Sequence, residues 1–137
     1  MKETLQLHND INEVSLLAEW IEQVSEKLML PMPAVFQLNL ALEEAVVNVM
    51  NYAYPGQVGM PVWLNAEDKG NVIDFTLEDE GIEFDPTQEE EPDLTLSVEE
   101  RPIGGLGIFL VKNIMTEVSY RRCGNRNVLT MKYTKQN

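Results

Sequence analysis

One cysteine and one histidine are all that the 137 residues offer of the two residue types most often used to hold zinc. Cys123 cannot close an internal disulfide, and with only His8 beside it a Cys/His zinc site is not expected. Cations are scarce too: ten Lys and Arg stand against 23 Asp and Glu, for a formal net charge of −13. Such a chain cannot neutralise a phosphate backbone, so nucleic acid is not an expected partner. A single nucleotide is a different case, because backbone N–H groups and Mg²⁺ can meet its phosphates. No apolar run approaches the roughly 20 residues that cross a bilayer, so no membrane span is expected. The opening "MKETLQLHND" has no apolar signal-peptide core, and the expected location is cytoplasmic.

What is present suits one globular domain. Hydrophobic residues make up 44% of the chain, enough for a genuine core at this length. Neither an internal repeat nor a dividing linker is visible, so residues 1–137 are read as a single domain.

"ETLQLH" (3–8) has the character of a short strand. In "NDINEVSLLAEWIEQVSEKLML", Ile11, Val14, Leu17, Ala18, Ile21, Val24 and Leu28 recur at helical spacing, with Asn9 or Asp10 to cap the start. "PMP" (31–33) ends that helix, and Pro33 can open the next, over about 34–53. Strands follow at roughly 61–67 and 71–78, as a hairpin. In the second, Ile73, Phe75 and Leu77 alternate with polar residues, which puts one face in the core. Asp79 falls in phase with that buried face, and a carboxylate there needs a partner. Residues 82–103 lose all periodicity and read as a loop. "GGLGIFLVKNIM" (104–115) starts a helix on glycines, and "EVSYRRC" and "NVLTMKY" close the chain as two strands. The order β-α-α-β-β-loop-α-β-β predicts a two-layer α/β sandwich, with helices on one face of a mixed, mostly antiparallel sheet.

The chemistry concentrates in "LALEEAVVNVMNYAY" (40–54). Leu38, Leu42, Ala45, Val49 and Ala53 form a stripe that can pack on the sheet. Glu44 and Asn48, four residues apart, share the other face, with Asn51 nearby. Asn48 offers a neutral oxygen to Mg²⁺, and Glu44 offers a base one turn away. Taken alone, the pair reads equally well as solvated surface. The glycines of "GGLG" let backbone N–H groups approach phosphate at a helix N-terminus, although alone they also read as a tight turn.

"EEAVVNVMNYAY", "DEGIEFDP" and "GGLGIFLVKNIM" occur in that order. Together they resemble the GHKL superfamily of ATP-binding proteins, and more narrowly the bacterial anti-sigma factor serine kinases of the RsbW and SpoIIAB type. The likeness covers nearly the whole chain. It implies the GHKL (Bergerat) form of the sandwich, with ATP and Mg²⁺ as cofactors. It also implies Glu44 as general base toward a substrate serine and Asn48 as the Mg²⁺ ligand, with Asn51 in the same nucleotide site. Asp79 would accept from the adenine amino group, and Gly81 would let the backbone pass close to the base. Gly104, Gly105, Leu106 and Gly107 would hold phosphate, and residues 86–103 would form a mobile ATP lid. The implied activity is phosphorylation of a STAS-type anti-anti-sigma protein. The alternative is sequestration of a sigma factor or another regulator without transfer. A homodimer is compatible with either. Two departures stand out. Tyr52 replaces a frequent His, and the late-strand Thr that often supports the adenine-binding Asp has no direct match, leaving Asn127 or Thr130 to serve.

Overall fold

The computed structural model describes residues 1–88 and 105–135. Its opening strand, β1 (Lys2–His8), leads into a short 3₁₀ turn (Ile11–Glu13) and helix α1 (Val14–Lys27). Of the two candidate caps, Asp10 does the capping, accepting from the Asn12 amide at 3.0 Å. α1 stops before the prolines. Leu30 N–H bonds the Ser25 carbonyl and Met29 N–H that of Glu26, with Met29 left-handed at φ 53°. This is the Schellman arrangement, here with methionine where glycine is usual.

Helix α2 (Met32–Tyr52) carries Pro33 in its first turn, where the missing N–H costs nothing. Strands β2 (Pro61–Asp68) and β3 (Val72–Asp79) form the expected hairpin. A 3₁₀ turn (Pro86–Gln88), helix α3 (Gly105–Ile114) and the hairpin β4 (Glu117–Cys123) and β5 (Arg126–Thr134) complete the described chain. The first three residues of the anticipated lid are thus a structured turn with Pro86 buried; residues 89–103 lie outside the described residues.

Five described strands form one sheet in the order β1-β2-β3-β5-β4, and every pairing is antiparallel, not mixed. The connections explain this. Two successive helices between β1 and β2 cancel each other's reversal. The single helix after β3 does make β4 run parallel to it, but β5 inserts between them.

One sheet face meets the helices. Leu7, Leu64, Phe75, Leu77 and Met131 pack with Leu17, Ile21, Leu38, Leu42 and Val46, all 2% exposed or less. At about 25 cal/mol per Å² of apolar surface, each large side chain stabilises by roughly 1.5–3 kcal/mol. The other face is polar: Thr4 donates to Asn65 at 2.7 Å, and Asn65 to Glu78 at 3.2 Å. Thr130 pairs with Thr76 on that face, away from the helices.

Candidate functional site

Asp79 is the last residue of β3 and is 2% exposed, on the core side as its phase requires. Its Oδ1 accepts from the Gly81 amide at 2.9 Å and from Asn127 Nδ2 at 2.8 Å. Burial holds its carboxyl above its usual range, while these two hydrogen bonds and the Arg122 charge pull the other way.

Asn127 is therefore the late-strand support, and Thr130 is not. It sits opposite Asp79 in the β3–β5 register, and all of its bonding capacity is engaged. Nδ2 donates a second time, to the Ile82 carbonyl at 2.7 Å. Oδ1 accepts from Tyr120 Oη at 2.6 Å, Arg122 Nη1 at 3.1 Å and the Phe84 amide at 3.2 Å. The same Arg122 nitrogen reaches the Gly81 carbonyl at 2.8 Å. These contacts fix the amide orientation, because turning it would face donors with donors. They also tie the 79–84 segment to the β4–β5 hairpin. A signal for Asn127 did exist in the sequence: it is the polar member of an inward-facing series continued by Leu129, Met131 and Tyr133.

The same segment is fastened to α2. Ile82 N–H bonds the Ala53 carbonyl at 2.9 Å. Tyr54 Oη accepts from the Glu80 amide and donates to the Pro61 carbonyl, each at 2.6 Å. Tyr52, at the position where the resemblance suggests His, lays its ring 5.8 Å from that of Phe84. Gly81 is the tightest point: a Cβ there would lie well inside contact distance of the Ala53 carbonyl oxygen and carbon. The backbone approach at Gly81 is thus to α2. Gly81→Ala is expected to destabilise the fold by about 1–3 kcal/mol, the usual cost of overpacking, or more because the obstacle is backbone. Thermal unfolding measures this, and an unchanged Tm would contradict the contact.

On α2, the apolar stripe is buried as expected: Leu38, Leu42, Ala45, Val49 and Ala53 are all at most 5% exposed. Asn48 is also buried, at 6%, whereas Glu44 is half-buried one turn earlier and Asn51 is exposed. A graded polar stripe results, from a sheltered carboxamide to a partly wet carboxylate. α3 packs against α2, and Gly105, Leu106 and Gly107 are its first three residues. Their backbone N–H groups have no partner within the helix, which suits an anion. Gly104 lies outside the described residues. Lys112, in the last turn of α3, bonds the Thr87 carbonyl at 2.9 Å and anchors the 3₁₀ turn to the helix.

The donor set fits Mg²⁺ only in company. Among the described residues no three His, Cys, Asp or Glu side chains converge. A cation beside Asn48 would need phosphate oxygens and water to complete its shell, as Mg²⁺ commonly does.

Residues 7–133 match the family model described as the histidine kinase-like ATPase domain. The serine/threonine-protein kinase BtrW of Bordetella bronchiseptica is 26% identical over 129 residues, covering 94% of this chain and 91% of that protein. The serine-protein kinase RsbW of Listeria monocytogenes is 28% identical over 142 aligned positions, covering 98% and 88%. An anti-sigma F factor of Halalkalibacterium halodurans is 28% identical over 87 residues, 64% of this chain and 60% of that one. Among solved structures, the RsbU and RsbW domains of a Mycobacterium tuberculosis protein superpose with a TM-score of 0.71 at 11% identity. That match covers all of this chain and 33% of the other, and supports the fold alone.

Proposed function

The chain belongs to the histidine kinase-like ATPase family, and from that premise we propose that it is an ATP-dependent anti-sigma regulatory kinase. It would transfer phosphate to a serine of a STAS-type anti-anti-sigma protein. The observation that carries the nucleotide part is the Asp79 carboxylate. One oxygen is saturated by Gly81 and Asn127, so Oδ2 is the atom left to accept from an adenine amino group. Relatives named as serine kinases and as an anti-sigma factor support the transfer to serine and the anti-sigma role.

The chain's own residues divide the work. Asp79 orients the base. Asn48 presents its carboxamide oxygen from a sheltered position to the cation that accompanies ATP; that cation supplies charge neutralisation on the phosphates when bound. The first N–H groups of α3 take phosphate oxygens, and Glu44 receives the proton of the substrate hydroxyl. With so little covalent work to do, positioning supplies most of the catalysis.

Calorimetry of the full chain with Mg·ATP tests the pocket. Asn48→Ala is expected to weaken Mg·ATP binding and abolish transfer, while ATP measured in EDTA should bind parent and variant nearly alike. Equal Mg·ATP affinity in both proteins would remove Asn48 from the site.

A further inference from the structure

A second depression lies between α1 and α2, outside the nucleotide site. It is a cleft of about 550 Å³. Ala18, Leu30 and Val35 give it apolar walls, and Glu22 and Glu26, one turn apart on α1, stand along one edge. Met32, which lines it, is 78% exposed, and Met29 and Phe36, three and four residues away along the chain, are 88% and 66% exposed. Exposed apolar side chains so close together in sequence, beside an apolar cleft, mark an interaction surface, and methionine suits one that adapts to its partner.

Ser25 supplies an independent observation. It lines the same cleft, is 2% exposed, and its Oγ has no hydrogen-bond partner among the described residues. A buried hydroxyl without a partner is costly, and in a folded protein such a group calls for an explanation, a bound group among them.

Charge chooses the occupant. No described Lys or Arg lines the cleft. The nearest cation on α1, Lys27, is turned away to Glu3 of β1 at 2.5 Å. An anionic membrane or a nucleic acid is repelled, and a second copy would bring its own glutamates and net charge of −13 against this one. We propose that the cleft receives one helix of a different protein, with an apolar stripe flanked by lysines or arginines. The stripe covers Val35, Leu30 and Met32, the basic flanks meet Glu22 and Glu26, and a polar group on the helix satisfies Ser25 Oγ. This is the helix-in-groove mode of recognition. It does not depend on the nucleotide reading.

The test uses the full chain and a labelled model helix of about 18 residues, five turns long, with a leucine stripe flanked by Lys and Arg. A twin carries Glu in place of the basic residues. Fluorescence anisotropy should show binding of the basic helix only, weakening as salt rises. Glu22→Lys with Glu26→Lys should lower that affinity about tenfold or more, and Ala18→Trp, which fills the cleft from an exposed position, should abolish it. Ser25→Ala separates a ligand role from a structural one: the melting temperature should hold or rise while helix binding weakens. Nucleotide affinity, measured on the same variants, should not change. Equal binding of both helices, or of neither, overturns the proposal. So does sedimentation showing a dimer that Ala18→Trp dissociates, because the occupant would then be a second copy.

Discussion

Glu44→Gln is expected to slow single-turnover phosphoryl transfer to a STAS-type partner by roughly 10²–10⁴-fold, the usual worth of a positioned general base. ATP affinity should stay nearly intact. The split follows from placement: Glu44 is half-buried one turn before Asn48, on the helix edge facing away from the packed stripe. Glu44 lies nine residues before Ala53, where the Gly81 turn beside Asp79 meets α2, so in the proposed site it would meet an incoming hydroxyl away from the adenine end. Single-turnover conditions isolate the chemistry from product release. An unchanged rate would remove Glu44 from the mechanism. It would favour instead a protein that binds nucleotide and sequesters its partner.

How much of this could be read from the sequence depends on the range of the interaction concerned. Glu44 and Asn48 were legible because a helix repeats locally: once α2 was read, their common face followed. Asp79 was legible for the same reason, through the two-residue period of β3. Its partner was legible only as one of two candidates, Asn127 or Thr130, and the choice between them was not. Asn127 stands 48 residues away, and recognising the pair requires knowing that β5, not β4, lies beside β3. Alternation along a strand says which residues face inward and nothing about which strand is the neighbour. Gly81 shows the same limit. Its glycine was visible, but the Ala53 carbonyl that demands it comes from tertiary packing. The sheet's wholly antiparallel character was missed because it too depends on strand order.

Asp79→Asn should weaken ATP binding roughly 10–100-fold, the scale of a lost hydrogen bond to a charged group. The surrounding donors dictate how. With the Gly81 amide and Asn127 Nδ2 both pointing at one atom, an asparagine would keep its oxygen there. Its NH₂ would then stand where Oδ2 stood, facing the adenine amino group donor to donor. GTP, whose base presents a carbonyl at that edge, should lose less than ATP or gain. Comparing the two nucleotides by calorimetry checks this, and equal losses would argue against Asp79 reading the base.

The acidity of Asp79 adds a pH signature. Its pKa is raised in the folded chain, chiefly by burial, so the folded state holds this proton to higher pH than the unfolded state does. The stability from that proton is present at low pH and is lost as pH rises through the raised value. Accepting from adenine requires the ionised form. ATP affinity should therefore fall, as pH is lowered, at a higher pH than an ordinary aspartate would dictate. Asp79→Asn should abolish that dependence.

The strand order also has a consequence for how the chain folds. β2–β3 and β4–β5 are hairpins and can close quickly on their own. Joining them through β3 and β5 requires closure across the intervening helix and a long stretch of chain. Such non-local pairing is entropically slow and comes late. The Asp79–Asn127 contact straddles this junction. A chain with both hairpins made but not yet joined has no Asn127 to fix the Asp79 carboxylate. If Asp79 reads the base as proposed, ATP binds only once the final closure is complete. Nucleotide should slow unfolding across that seam and leave the rate of refolding almost unchanged.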